Sequence, residues 1–551
     1  MKTLKYLTIP VAIALLATSC SSDETSQNGV PSPEAGAGGR TGGASGAGGH
    51  AGSFAGHAGR SGGGAGGTAP GSAGASGGAP ADLGGAAGTA AAAAGAAGED
   101  AGSGEAGAPN VVPFDGSCAT LPGTVVYIES GDTQENLLKN LGRHLRDTAD
   151  ITLAFNLAGS CTLTSDMFGA SKIVKNGTLK YIPSTAEDAA WTPSMPEPTC
   201  TTGADGVSID LAISALFVES CGLGAPPAGL DLVQGPIQAY TFIVPIASTQ
   251  NAIWAEEAYY AFGFGSQNPL APTYDPWNDE GFLFIRAATK STLVATAKNV
   301  ALPPNKWKGV VEPASSDVVT AVSSSTQPEA TRGILGAEVY DGNRSTGIKT
   351  LAFQAFSQNA AYYPDSTSST FDNQNVRDGH YTLWSPTVYL TPVDSHHVPT
   401  NPAVKYISDL VLGNAVTKAP SGGAAFDGLA DVVKVGLIPE CAMSVTRNVD
   451  GGDLSPFSPD TSCACYYLSR IPGASGVPSG CTVCTSDQQC GGGVCSHGFC
   501  EPDTISTAGS SVSGCFAGTP TTHAELINAC TNAQGIEKTV VLPAGGLRPL
   551  P

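Results

Sequence analysis

The sequence predicts an α/β protein built on a parallel sheet, preceded by a disordered Gly/Ala-rich tether and followed by a small disulfide-rich tail. Three observations carry the prediction. Between about residues 120 and 300, apolar runs end in glycine or hydroxyl turns and pass into helical periodicity, again and again; strands alternating with helices indicate a parallel sheet. Before about residue 110 the composition collapses to Gly, Ala and Ser. From Cys441 onward the cysteine spacing tightens.

In chain order, Met1 to Cys20 combines Lys2 and Lys5, the apolar run Ile9 to Leu16 and a small-residue end at Ala17-Thr18-Ser19-Cys20. That is a secretory signal, too short to span a bilayer. Small residues leading into Cys20 resemble the bacterial lipoprotein box, with leucine one place early at Leu16. The resemblance implies a lipidated Cys20 as mature N-terminus and a membrane anchor; a plain secretory cleavage with Cys20 in a disulfide is the other reading. Residues 21–112 bury too little apolar surface to offset their ordering entropy and are expected to be disordered. About 90 such residues reach roughly 50 Å. Gly74-Ala75-Ser76-Gly77-Gly78 matches a hydrolase nucleophile pattern, but no strand precedes it and no helix follows.

The charge of −21, from 26 basic and 47 acidic residues, argues against nucleic acid and against anionic lipid surfaces. Any anion site must be local. Of 15 cysteines, 14 remain once Cys20 is set aside, so up to seven disulfides are expected in an exported chain, with pairings that the sequence leaves open.

Val125 to Ile128 reads as a strand and Glu129 to Thr133 as a turn. Gln134 to Arg146 follows, with Leu137, Leu138, Leu141 and Leu145 on one helical face. Asp132 and Glu135 have the spacing of a capping box. Ile151 to Phe155 is a second strand, leading through Gly159-Ser160-Cys161 into a helix through Phe168. A third, Ser208 to Ile213, ends at Ser214-Ala215. Gln234 to Pro245 reads as an extended crossing segment and Ala255 to Phe262 as a helix whose Tyr259, Tyr260 and Phe262 belong to a core.

In Gly281 to Val300 the apolar run Phe282 to Ile285 ends in Arg286. A polar turn then holds Thr289, Lys290, Ser291 and Thr292, and helical spacing begins at Leu293. Unpaired N–H groups and a positive helix end beside an arginine suit an oxyanion; an ordinary capped helix beside a surface arginine is the plain reading. Thr133, Ser160 and Thr292 stand at three strand exits, and ligands of parallel α/β sheets bind beyond such ends.

Gly333 to Val339 and Leu351 to Phe356 read as short strands, Thr382 to Tyr389 as a returning strand and Asn401 to Leu412 as a helix. Asp394-Ser395-His396-His397 lacks helical zinc spacing. Asp365, Asp372 and Asp378 read as solvated charge. No nucleophile with a plausible base and no P-loop occurs, so neither an enzyme nor a cofactor or metal is expected.

Taken together, GDTQENLL, ITLAFNLAGSCTLT, VSIDLAISALFVESC, QGPIQAYTFIVP, EGFLFIRAATKST, RGILGAEVYDGN and VRDGHYTLWSP resemble the phosphate-binding members of the periplasmic substrate-binding proteins that serve ABC importers. They are closest to Cys-bearing lipoprotein variants of myxobacteria. The resemblance covers about residues 120–440 and implies the two-lobed, type II periplasmic-binding-protein fold. Lobe I would take 113–240 and 378–440, lobe II 241–377, followed by a Cys-rich module over 441–503 and a C-terminal tail over 504–551. It implies a monomer that captures a phosphate-like oxyanion for an ABC permease or for sensing. The anion would be held by Thr133, Ser160, Arg286, Lys290, Ser291 and Thr292. Four positions depart from the family. Asp132 stands where a small residue is usual. Lys290 and Ser291 replace serine and glycine. Ala215 replaces the aspartate that accepts the phosphate's proton. Loss of that acceptor predicts an altered or relaxed anion choice. A surface lipoprotein that keeps the fold without its ligand is the alternative.

Overall fold

The computed structural model describes residues 115–169, 173–268, 277–501, 509, 512–537 and 546–551. The expected signal, Cys20 and the tether lie outside these residues.

β1 (Thr124–Gly131) and β2 (Ile151–Ala158) are apolar, β-branched runs paired in parallel from Thr124↔Ile151 to Gly131↔Ala158. Between them α1 (Glu135–Ala149) buries Leu137, Leu138, Leu141 and Leu145 and ends at Asp150, which takes the left-handed conformation. α2 (Ser160–Phe168) leaves β2, then β3 (Thr178–Tyr181) and β4 (Thr199–Thr201) extend the edge, and β5 (Leu211–Ser214) joins β1 in parallel. The crossing segment is β6 (Leu230–Pro245).

Beyond it come β7 (Ala252–Trp254), α3 (Ala255–Phe264), β8 (Leu283–Ile285) and α4 (Ser291–Asn299). They are followed by β9 (Val310–Val311), α5 (Ser315–Ser323), β10 (Arg332–Gly336) and α6 (Ala337–Gly342). Three short strands, β11 (Ile348–Thr350), β12 (Ala352–Gln354) and β13 (Ala360–Tyr362), precede the returning strand β14 (Trp384–Pro392). α7 (Pro402–Leu412) is capped by the Asn401 side chain with proline at its first turn; α8 (Gly428–Lys434), α9 (Ala464–Arg470) and β15 (Gly535–Glu537) complete the elements used below.

One sheet of 11 strands runs β9-β8-β10-β6-β14-β5-β1-β2-β3-β4, with β11 also on β6. Its two halves repeat one plan. In the first, β2-β1-β5 are parallel, β14 is antiparallel to β5, and the start of β6 lies outside it. In the second, β9-β8-β10 are parallel, the end of β6 is antiparallel to β10, and β11 lies outside it. Each half therefore receives its antiparallel strand from the other. This is a two-lobed α/β arrangement, with β6 and β14 as crossing strands.

Each half has its own core. Leu137, Leu141, Phe155, Ile213 and Ile407 pack in the first; Phe242, Phe262, Trp277, Trp307 and Phe353 pack in the second. Tyr259, Tyr260 and Phe262 are buried there, and Trp307 lies 4.5 Å from Phe262. The segment after Cys441 is built into the same core through Met443, Val445, Leu454 and Tyr467. It runs across the crossing strands: Asp450 accepts from the Phe217 N–H at 3.1 Å and from the Ser385 hydroxyl. β15 pairs with β13 at the edge of a four-stranded sheet, β15-β13-β12-β7.

Seven disulfides join Cys118–Cys200, Cys161–Cys221, Cys441–Cys463, Cys465–Cys481, Cys484–Cys495, Cys490–Cys500 and Cys515–Cys530. Cys481 and Cys484 thus bond to different partners. Among the described residues no helix is long and apolar enough to cross a membrane.

Several local expectations are corrected. The Asp132–Glu135 capping box does not form: α1 has no side-chain cap, because Asp132 and Glu135 are engaged by Arg286 and Lys180 instead. The run Gly333 to Val339 is strand only to Gly336 and turns into α6 there. The third strand is Leu211–Ser214 rather than Ser208 to Ile213, and α4 starts at Ser291, two residues before Leu293. Asp365 is buried against Arg344 (2.6 Å), not solvated.

Candidate functional site

The exits of β1, β2 and β8 meet where the two halves face each other. Each exit leads into a helix start: Gly131 stands before a short 3-10 turn, Gly159 is the N-cap of α2, and beyond Ile285 a turn leads to Lys290, the N-cap of α4. Gly159 leaves no room for a side chain, since a Cβ there would lie 2.8 Å from the Thr289 carbonyl oxygen. Through that contact the Cys161 N–H donates to the Thr289 carbonyl at 3.3 Å, tying the two walls of the cleft together.

Arg286 is fully buried at the end of β8. Its Nη1 donates to the Glu312 carbonyl at 3.0 Å and its Nη2 to Asp132 Oδ2. Lys290 Nζ lies 3.3 Å from the other carboxylate oxygen, Asp132 Oδ1, and 3.4 Å from the Ala158 carbonyl. Two cations of the second half therefore share one carboxylate of the first. Burial pulls the Arg286 pKa down, and the Asp132 carboxylate opposes that shift.

The hydroxyls sit around the same point. A Cβ on Gly131 would lie 3.6 Å from Ser160 Oγ and 3.7 Å from Thr133 Oγ1. Ser160 Oγ accepts from the Ala215 N–H at 3.2 Å, and the Ala215 carbonyl accepts from the Tyr240 hydroxyl at 2.7 Å. Ser291 is buried at the start of α4, beside the Tyr240 hydroxyl. Thr292 is buried in the first turn of α4, where its carbonyl accepts from the Thr296 hydroxyl at 2.7 Å. Thr133 Oγ1 and Arg286 Nε are buried without a hydrogen-bond partner.

The structure thus draws Thr133, Ser160, Arg286, Lys290 and Ser291 around one point, with Thr292 one residue along the same helix start. It also adds residues that sequence reasoning missed. Gln134 Nε2 donates to Gln238 Oε1 at 2.8 Å, and Gln238 Nε2 donates to Glu338 Oε2. This chain of side chains runs from one wall to the other beside Asp132. Burial pushes the Glu338 carboxyl up to about 8, against the opposing pull of its own backbone N–H and of Gln238. The signal was present as Gly336-Ala337-Glu338, a further strand exit of the same form.

The adjacent histidines lie in an exposed loop, where His397 Nδ1 faces Asp231 at 2.9 Å. Sulfur atoms of Cys484, Cys490 and Cys500 are close enough together for a metal, but each is in a disulfide and offers no thiolate.

No protein-family model and no curated protein matches the chain. Solved structures align over 57% of it. One is a phosphate-bound protein of Clostridium perfringens assigned to phosphate ABC transport, 10% identical, 99% covered, TM-score 0.36. An ABC-type phosphate transport receptor of Vibrio cholerae is 13% identical, 99% covered, TM-score 0.35. PstS of Borrelia burgdorferi is 12% identical, 98% covered, TM-score 0.31.

Proposed function

We propose that this chain is an exported, lipid-anchored binding protein of the cell envelope that clasps a small oxyanion, phosphate or a relative, for an importer or for sensing. The observation that carries the reading is the convergence of Arg286 and Lys290 from one half onto a single carboxylate of the other. A pair of cations, one buried, at a helix start beside the hydroxyls of Thr133 and Ser160 is a receptor for negative oxygen. Seven disulfides in the described residues fit an oxidising compartment. Anchoring through Cys20 is proposed on the resemblance of Ala17-Thr18-Ser19-Cys20 to the lipoprotein box. Donors and cations gathered at one point serve to hold an anion, and the role proposed is binding.

Ala215 bears on the choice of anion. Its backbone groups are used by Ser160 and Tyr240, and its methyl group cannot accept a proton from the ligand. Selection for a protonated oxyanion is therefore weakened, and sulfate should compete with phosphate. The test is a thermal-shift panel of phosphate, sulfate, phosphonates and small carboxylates on the full chain. A ligand at 100 times its dissociation constant adds about 2.7 kcal/mol. Arg286→Ala should abolish every shift; a shift that survives it removes Arg286 from the site.

A second reading has its own support. Because Asp132 already pairs with both cations, the fold can stand closed with nothing bound, as a surface component of the envelope. A flat response across the whole panel would favour it.

A further inference from the structure

We infer that Asp132 is a built-in occupant of the oxyanion site, and that capture of an external anion proceeds by displacing it. The inference rests on the oxyanion reading above and adds a regulatory element to it. Asp132 lies between Gly131 and Thr133, in the turn that brings the first half's donors to the cleft. Its two carboxylate oxygens are divided between two cations, Oδ2 to Arg286 and Oδ1 to Lys290. Both cations come from the opposite wall, so the carboxylate holds the position and the partners that a bound anion would have.

The unused donors are an independent sign. A carboxylate brings two oxygens, and it leaves Thr133 Oγ1 and Arg286 Nε buried without partners. A buried donor left unmade is costly. A tetrahedral oxyanion brings four oxygens and can reach donors that Asp132 cannot. The internal ligand is therefore a partial fit, strong enough to keep the cleft shut and poor enough to be replaced. An internal group also competes at a high effective concentration. The apparent affinity for an external anion falls in proportion to the fraction of molecules in which Asp132 has left the cations.

The experiment is calorimetric titration of the full chain with inorganic phosphate, sulfate and acetate, comparing wild type with Asp132→Ala and the isosteric Asp132→Asn. Both variants should bind phosphate at least about tenfold more tightly than wild type. Acetate, a detached carboxylate, should raise the melting temperature of Asp132→Ala and leave the wild type unchanged. If wild type binds phosphate as tightly as both variants, the occupant is overturned while the oxyanion reading stands. If none of the three anions binds any protein, yet both variants gain deuterium exchange over residues 286–292, the occupant stands as a lock and the capture reading falls. Absence of binding together with unchanged exchange overturns both.

Discussion

Asp132 and Glu338 stand on opposite walls of one cleft, each just past a glycine that ends a strand, and their surroundings differ in kind. Asp132 is partly exposed and meets two cations. Glu338 is buried and meets an amide, Gln238, so its carboxyl is pushed up to about 8 by burial. The same chemical group at the same kind of turn is thus a counter-ion on one wall and, at neutral pH, a protonated hydrogen-bonding group on the other. Burial without a facing cation is what sets Glu338 apart.

The strongest way to break this contrast is to remove one member of the ion pair. Asp132→Ala strands a buried guanidinium and should cost about 3 kcal/mol in urea unfolding. Adding Arg286→Met should restore part of that loss, with a coupling of about 1–3 kcal/mol. Strict additivity would show that the pair is not a unit.

A smaller effect belongs to Glu338. Its folded pKa of about 8 stands above its ordinary 4.5. Between these values the folded state holds a proton that the unfolded chain has released. The associated stability is complete below about pH 4.5 and is lost as the pH rises through about 8, at roughly 1 kcal/mol per pH unit. Glu338→Gln should flatten that slope in urea unfolding measured from pH 5 to 8. An unchanged slope would mean that Glu338 is ionised in the folded state, and the contrast would collapse.

The smallest effect is expected at Lys290, whose side chain keeps 18% of its exposure and stands 3.3 Å from Asp132. Lys290→Met should cost less than about 1 kcal/mol. A larger loss would place Lys290 beside Arg286 as an equal holder of the carboxylate.

Much of this was legible in the residues. Strand–turn–helix periodicity placed β1, α1, β2 and β6, and the hydroxyl turns marked Thr133 and Ser160, because side-chain period and turn chemistry are local properties. The role of Asp132 was hidden by its spacing from Glu135: a capping box is also local, and only tertiary contact brings Arg286 to it from 154 residues away. Glu338 was missed because Gly333 to Val339 is apolar enough to pass for one strand, which concealed the strand exit at Gly336. Disulfide partners depend on distances in space, which spacing along the chain does not contain.

The pairing of β15 with β13 bears on the order in which the molecule is completed. Ala360–Tyr362 waits for Gly535–Glu537, about 175 residues later, before its outer backbone groups are paired. A chain that emerges from its N-terminus, or one cut short after the last crossing strand, carries that edge open as a template for another strand. Gly535–Glu537 therefore closes an edge that Ala360–Tyr362 would otherwise present unpaired.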